Sequence, residues 1–182
     1  MRKDEIIDYI QKTFSEYPDY LRDGVVDEDS ITHCYDAVKL FSGKSWIELM
    51  DSDLYHSEDA VMCITKPAFS YYIAAYLRLF IESYYEADAL VDTVLNMLTP
   101  PVRNGIPSTT WIGKNLDCFS CNKKVIIAFT FQYLCNEYCD KNAERALKIY
   151  WGQYLNESLL IKNEQSLKKK GNKCKYSQRS GM

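Results

Sequence analysis

Residues 65–82 read TKPAFSYYIAAYLRLFIE. Phe69, Tyr72, Ile73, Tyr76, Leu77, Phe80 and Ile81 recur at alternating spacings of three and four. That period places all seven on one side of an α-helix, whereas a half-buried strand would alternate with period two. Thr65 is positioned to cap the helix, because its hydroxyl can accept from an unpaired N–H of the first turn. Pro67 fits the first turn, where its missing N–H leaves no helical bond unmade.

The chain around this segment repeats the pattern. Ala87, Leu90, Val91, Val94, Leu95 and Leu98 form a second unbroken stripe, closed by Pro100 and Pro101. About four residues separate the two helices, so antiparallel packing is expected. Upstream, Asp4 is read as the cap of a first helix with Ile6, Ile10, Phe14 and Tyr17 on one face, stopped by Pro18. Asp29 or Ser30 starts a second, with Ile31, Cys34, Tyr35 and Val38 as its stripe and Gly43 as its stop. Ser45 caps a short third helix that buries Trp46, Leu49 and Met50.

Downstream, residues 99–118 contain Pro100, Pro101, Gly105, Pro107 and Gly113, and read as a long mobile loop pinned by Trp111 and Ile112. Ser120 then caps a helix that is apolar nearly all round from Val125 to Cys135, as expected of a central element. A last helix shows Ala143, Ala146, Leu147, Tyr150, Trp151 and Tyr154. No pair of segments alternates as strands do, and no internal repeat is present. The expected fold is all-α: a compact bundle of six or seven helices over residues 1–161, followed by a basic, disordered tail at 162–182.

Composition supports that division. Hydrophobic residues make up 47% of the 182 and charged residues 26%, a globular balance. Net charge is -3, but residues 162–182 hold seven Lys/Arg and one acid, leaving a body with 15 basic and 24 acidic residues. The longest apolar-rich run, Val125 to Cys135, is too short for a membrane span of about 20 residues. The N-terminus lacks the apolar block of an export signal, and seven cysteines is an odd number. Both point to reduced thiols in a cytoplasm.

Residues 33–49, HCYDAVKLFSGKSWIEL, carry the pattern F-x-G-K-x-W-x-x-L. Residues 57–77, SEDAVMCITKPAFSYYIAAYL, follow with A-F-x-Y-Y-x-x-A-Y-L, and ALVDTVLNMLTPP continues them. Over about residues 33–105 the chain resembles an uncharacterised family of small bacterial proteins classed as a domain of unknown function. The resemblance implies bacterial origin and a shared fold, and it implies no activity. The chain departs in reading MCITKP where those proteins carry SFLTPE, and in its cysteine pairs.

The stretch LDCFSCNKKVIIAFTFQYLCNEYC (116–139) holds Cys118, Cys121, Cys135 and Cys139. Four converging thiolates would suit zinc. A helix starting at Cys121 puts Cys135 about 21 Å along a rigid rod, so the two pairs cannot share an ion. Cys118 and Cys121 retain a redox reading, because thiolates at a helix start are stabilised by free N–H groups and by Lys123 and Lys124 nearby. Cys135, Cys34 and Cys63 read as small apolar core groups. Asp29, His33 and Asp36 fall on one face of the expected second helix, a polar surface with the residue types for metal or acid–base work. Tyr71, Tyr84 and Tyr85 lie off the apolar stripes and are expected to be exposed aromatics suited to an interface.

No nucleophile elbow, Walker loop or H-E-x-x-H occurs. The reading is therefore a non-catalytic binding protein without cofactor or metal. Its acidic, tyrosine-rich body would bind a basic protein, as immunity proteins and antitoxins do. Two alternatives stand beside it: a thiol-dependent redox or sensor protein using Cys118 and Cys121, and a nucleic-acid binder using the basic tail.

Overall fold

A computed structural model describes residues 1–16, 18–21 and 24–155. The first helices are α1 (Lys3–Thr13), α2 (Tyr35–Phe41), α3 (Asp51–Leu54), α4 (Glu58–Cys63) and α5 (Lys66–Glu82). After them come α6 (Tyr84–Ala87), α7 (Ala89–Leu98), the strands β1 (Val102–Arg103) and β2 (Ile106–Pro107), α8 (Thr109–Asn115), α9 (Cys121–Tyr138) and α10 (Lys141–Ile149). The fold is all-α. Among the described residues there are ten α-helices, more than the six or seven expected, because α3, α4, α6 and α8 are short turns that leave little periodic signal. The basic tail at 162–182 and Tyr17 lie outside the described residues.

Two long helices form the centre. The Thr65 hydroxyl accepts from Ala68 N–H at 3.3 Å and starts α5, with Pro67 in its first turn. Thirteen of the 17 residues of α5 are buried, so it has no water-facing side. The whole predicted stripe from Phe69 to Ile81 is inside. The Ser120 hydroxyl likewise caps α9, whose residues Val125–Phe131 and Leu134 are buried. α5 packs on α9, and α1 covers both with Ile6, Ile10 and Phe14. α10 folds back along α9 through a left-handed Cys139 (φ 54°) and then Asp140. α7 contributes Leu90, Val91, Val94, Leu95 and Leu98, and packs chiefly on α10 and α4.

Three local expectations change. The second helix starts at Tyr35, because residues 28–33 wind into tight turns. Its buried positions are Ala37 and Phe41, while Ile31 and Tyr35 face solvent. Asp29, His33 and Asp36 consequently share no helix face. Met50 is 63% exposed, because a single 3-10 turn at Trp46–Glu48 ends before it, while Trp46 and Leu49 are buried as expected.

Residues 99–118 hold a hairpin and a helix in place of the long loop that the sequence leads one to expect. Val102 pairs Pro107 and Arg103 pairs Ile106 across an antiparallel hairpin. Its turn is Asn104 (φ 50°) and Gly105 (φ 77°), the two positive-φ positions that a tight hairpin turn requires. α8 follows, capped by the Ser108 hydroxyl, and lays Trp111 and Ile112 against the core.

Polar groups of α5 hold the segment that covers it. The Tyr72 hydroxyl donates toward Phe41 O (2.7 Å) and Lys44 O (2.8 Å). Trp46 Nε1–H donates to Phe14 O at 2.8 Å, and Trp46 N–H donates to the Tyr71 hydroxyl at 3.4 Å. Tyr72→Phe should therefore lower stability by about 1–3 kcal/mol, since two carbonyls lose a buried donor. Urea unfolding checks this, with the midpoint expected to fall and the slope to stay constant.

Candidate functional site

The sequence-derived candidates separate into three places. The first is the start of α9. Cys118 and Cys121 are both exposed; Cys118 precedes α9 with its Sγ 3.4 Å from Asn115 O, and Cys121 is the first residue of the helix. Burial pushes the Cys118 thiol up, against the opposing pull of Lys123, Lys124 and Lys66. A reactive thiol needs the opposite shift. Lys123 has its own role: its Nζ donates to Ser70 O at 2.7 Å and lies 4.9 Å from the centre of the Phe14 ring. The second cysteine pair sits at the far end of α9, a continuous helix of 18 residues, about 27 Å long. Burial pushes the Cys135 thiol up to about 11, helped by Asp140 and Glu144. Among the described residues no three His, Cys, Asp or Glu side chains gather as a metal site.

The second place is a shallow cleft of about 260 Å³ between α2, α3 and α4. It gathers Asp36 with Lys39, Lys44, Asp53, His56 and Asp59. Asp36 thus lines a cleft with His56, and His33 lies outside it in an exposed turn. All of these lining groups except Lys44 are solvent-exposed, which gives a mixed-charge surface and not a desolvated catalytic centre.

The third place joins Tyr84 and Tyr85 to residues distant in sequence. α5 ends at Glu82 with Ser83 as its cap, and α6 is a single turn that carries both tyrosines. The turn ends at Asp88, with φ 39° and ψ -121°, a backbone conformation strained for a residue with a Cβ. Tyr138, the last residue of α9, stacks on Tyr84 with ring centres 4.1 Å apart and planes 6° apart. Tyr85 stands edge-on to both, at 5.4 Å from Tyr84 and 5.5 Å from Tyr138. Tyr133 adds another edge contact to Tyr138, at 6.1 Å. Each such pair is worth about 0.5–1.5 kcal/mol beyond its area, so the cluster is held in place.

A buried carboxylate anchors the group. Asp140 is 7% exposed and caps α10 by accepting from Ala143 N–H at 2.8 Å. Its other oxygen accepts from the Tyr84 hydroxyl at 2.7 Å. The tyrosine surface is also acidic. Burial first, then Asp140 and Asp92, push the Tyr84 phenol well above the usual tyrosine value. Tyr133 is pushed up to about 12 by burial, by Tyr138, and by Glu137 and Asp4. Glu86, Asp88, Asp92 and Glu137 are exposed around the cluster, and Asp92 accepts from Asn142 at 2.6 Å. Tyr85 presents its ring to solvent at 76% exposure.

Tyr71 does not belong to this surface. It is 2% exposed, because α5 is covered on every side and has no outer face for an off-stripe residue to occupy. Tyr133 falls inside the run read as apolar, Val125 to Cys135, and Tyr138 lies just past its end. The adjacent polar pair Asn136 and Glu137 between them is the signal that this end of the helix reaches solvent.

The chain matches no protein-family model, no curated protein and no solved structure. The likeness over residues 33–105 therefore remains an expectation. Among the described residues no helix is long and apolar enough to cross a membrane.

The tyrosine cluster has a pH signature. Folded Tyr84 and Tyr133 hold their protons above pH 10.0, where free tyrosine loses its own, so the folded state binds more protons in that range. Their contribution is full below pH 10.0 and is lost as pH rises through the folded values. Melting temperature should begin to fall from about pH 9, where the raised Cys118 and Cys135 thiols act in the same direction, and fall more steeply above about 10, where the tyrosines join them. Tyr84→Phe should cost about 1–2 kcal/mol at neutral pH and flatten the alkaline slope, as read by thermal melts in parallel with tyrosinate absorbance.

Proposed function

We propose that the protein is a non-catalytic binding protein whose Tyr84–Tyr85–Tyr138 surface docks a basic protein partner. One observation carries this reading: a rigid, partly exposed tyrosine cluster set among carboxylates at the ends of both central helices. Tyrosine suits such a role because it brings a large, stiff, amphipathic surface at little entropic cost. Tyr84 is fixed by Asp140 and by stacking, so little order is lost when a partner lands on it. Exposed Tyr85 is the natural anchor. Glu86, Asp92 and Glu137 favour a partner rich in lysine and arginine, and speed its approach. The strained backbone at Asp88 supports the assignment, since strain collects where side-chain placement serves recognition.

The acidic body extends the same logic to the whole chain, which carries 24 acidic and 15 basic residues before position 162. Neutralisation of a basic toxin, in the manner of immunity proteins and antitoxins, is the functional class these properties fit. The raised thiol of Cys118 counts against the redox alternative.

Tyr85→Ala is expected to weaken partner binding by about 2 kcal/mol, roughly thirtyfold, and to lower stability by about 1–3 kcal/mol through its two lost edge contacts, with the chain still folded at the temperature of the binding measurement. Glu137→Lys should slow association mainly, with a reduced dependence on salt. Surface-plasmon measurements with the captured partner, alongside thermal melts, check both. Unchanged binding in both variants would remove the surface from consideration.

A further inference from the structure

Cys34 and Cys63, read from the sequence as reduced core thiols, are joined by a disulfide, with their Cα atoms 5.7 Å apart. Cys118, Cys121, Cys135 and Cys139 remain free. The bond links the residue before α2 to the last residue of α4. The loop it closes carries every residue lining the mixed-charge cleft. Both half-cystines are half-buried, so the bond is reachable from solvent.

Its surroundings are unusual. Tyr35 adjoins Cys34, Met62 adjoins Cys63, and Ile31 lies one turn earlier; these three are 67%, 59% and 47% exposed. The segment before Cys34 is otherwise lightly held. Its backbone hydrogen bonds close turns within itself: Ser30 N–H to Asp27 O, Ile31 N–H to Glu28 O, and His33 and Cys34 N–H to Ser30 O. Apart from half-buried Ser30, residues 27–33 face water. Its two ends are held independently, since Val25 O accepts from Thr65 N–H at 2.9 Å and α2 packs on α4; between them the covalent link is what ties residues 27–34 to α4. α2 and α4 have seven and six residues, too few to be stable without tertiary support.

Thiol–disulfide exchange requires a thiolate to reach one sulfur of the bond, and a protein donor must rest on the surface beside it. An accessible bond bordered by exposed apolar side chains meets that requirement. We propose that Cys34–Cys63 is a reversible redox modification site, served by a dithiol oxidoreductase that docks on Ile31, Tyr35 and Met62. A thiolate of the donor attacks one sulfur, forms a mixed disulfide and releases the other as thiolate. The donor's second thiol then displaces the first sulfur. The donor leaves as a disulfide having given two electrons, and its two thiol protons end on Cys34 and Cys63. The reduced form frees residues 27–34 from α4 and loosens the two walls of the cleft, while α5 and α9 keep their packing.

The test uses the full chain, air-oxidised and folded, with thioredoxin as the protein dithiol and dithiothreitol as the small one. Alkylation and peptide mass spectrometry separate Cys34 and Cys63 from the other thiols. A cross-linked 34–63 peptide is expected before reduction and none after thioredoxin treatment. Hydrogen exchange over 27–41 should rise on reduction, with α5 and α9 still protected. The double variant Cys34→Ser, Cys63→Ser should reproduce the reduced pattern. The triple variant Ile31→Ser, Tyr35→Ser, Met62→Ser should slow thioredoxin about tenfold while leaving the dithiothreitol rate unchanged. The proposal is overturned by absence of the cross-link after oxidation or by resistance to thioredoxin in the folded chain. It is equally overturned by exchange at 27–41 that ignores the redox state, or by a triple variant reduced as fast as its parent.

Discussion

A helix buried on all sides must find partners for the polar groups it carries, and α5 carries several. Among the buried side-chain polar atoms of the described residues, only Arg78 Nε is left without a hydrogen bond, 3.7 Å from a Glu82 carboxylate oxygen. An unpaired buried hydroxyl or guanidinium costs more than a made hydrogen bond returns. Tyr71, Tyr72, Tyr76 and Arg78 therefore dictate what may lie against them. Tyr72 meets Phe41 O and Lys44 O, and Tyr76 meets the buried Ser57 hydroxyl at 3.1 Å. Arg78 donates to Leu49 O at 2.8 Å, pairs with Asp51 at 3.1 Å and lies over the Trp46 ring. Residues 41–57 are consequently tied to α5 point by point. Apolar packing alone would tolerate a sliding cover, whereas these directional bonds select one.

That constraint places the rest of the molecule. With residues 41–57 fixed, α2, α3 and α4 form a layer whose outer side holds the mixed-charge cleft and the Cys34–Cys63 bond. At its other end α5 leaves the core through Ser83, and α6 lands where α9 finishes, so Tyr84 meets Tyr138. Both central helices are anchored in the core, and the tyrosines at their ends inherit that rigidity. Asp140 joins the two needs, since one carboxylate caps α10 and fixes Tyr84. A surface assembled this way suits recognition, where preorganisation limits the entropy lost on binding.

What was legible in the sequence was local. The Thr65 and Ser120 caps, and the stripes from Phe69 to Ile81 and from Leu90 to Leu98, follow from spacing and hydrogen-bonding capacity within one segment. The burial of Tyr71 does not, because an off-stripe position is exposed only if the helix has an outer face. The second helix slipped in phase because Asp27, Asp29 and Ser30 favour tight turns over a continuous helix. The Asn104–Gly105 hairpin was announced by its own residues, but two-residue strands leave no alternation to find. Neither Tyr84 with Tyr138 nor Cys34 with Cys63 is visible locally, since each pairing joins elements far apart in the chain.

We propose that the protein acts through the tyrosine surface at the ends of α5 and α9, and not through its free thiols or its cleft. Hydrogen–deuterium exchange of the chain, free and bound to the partner it captures, tests this most directly. New protection concentrated at residues 84–92 and 133–142 is the expected result. Protection centred on residues 116–124 or 36–60, with the tyrosine segments unchanged, would contradict it.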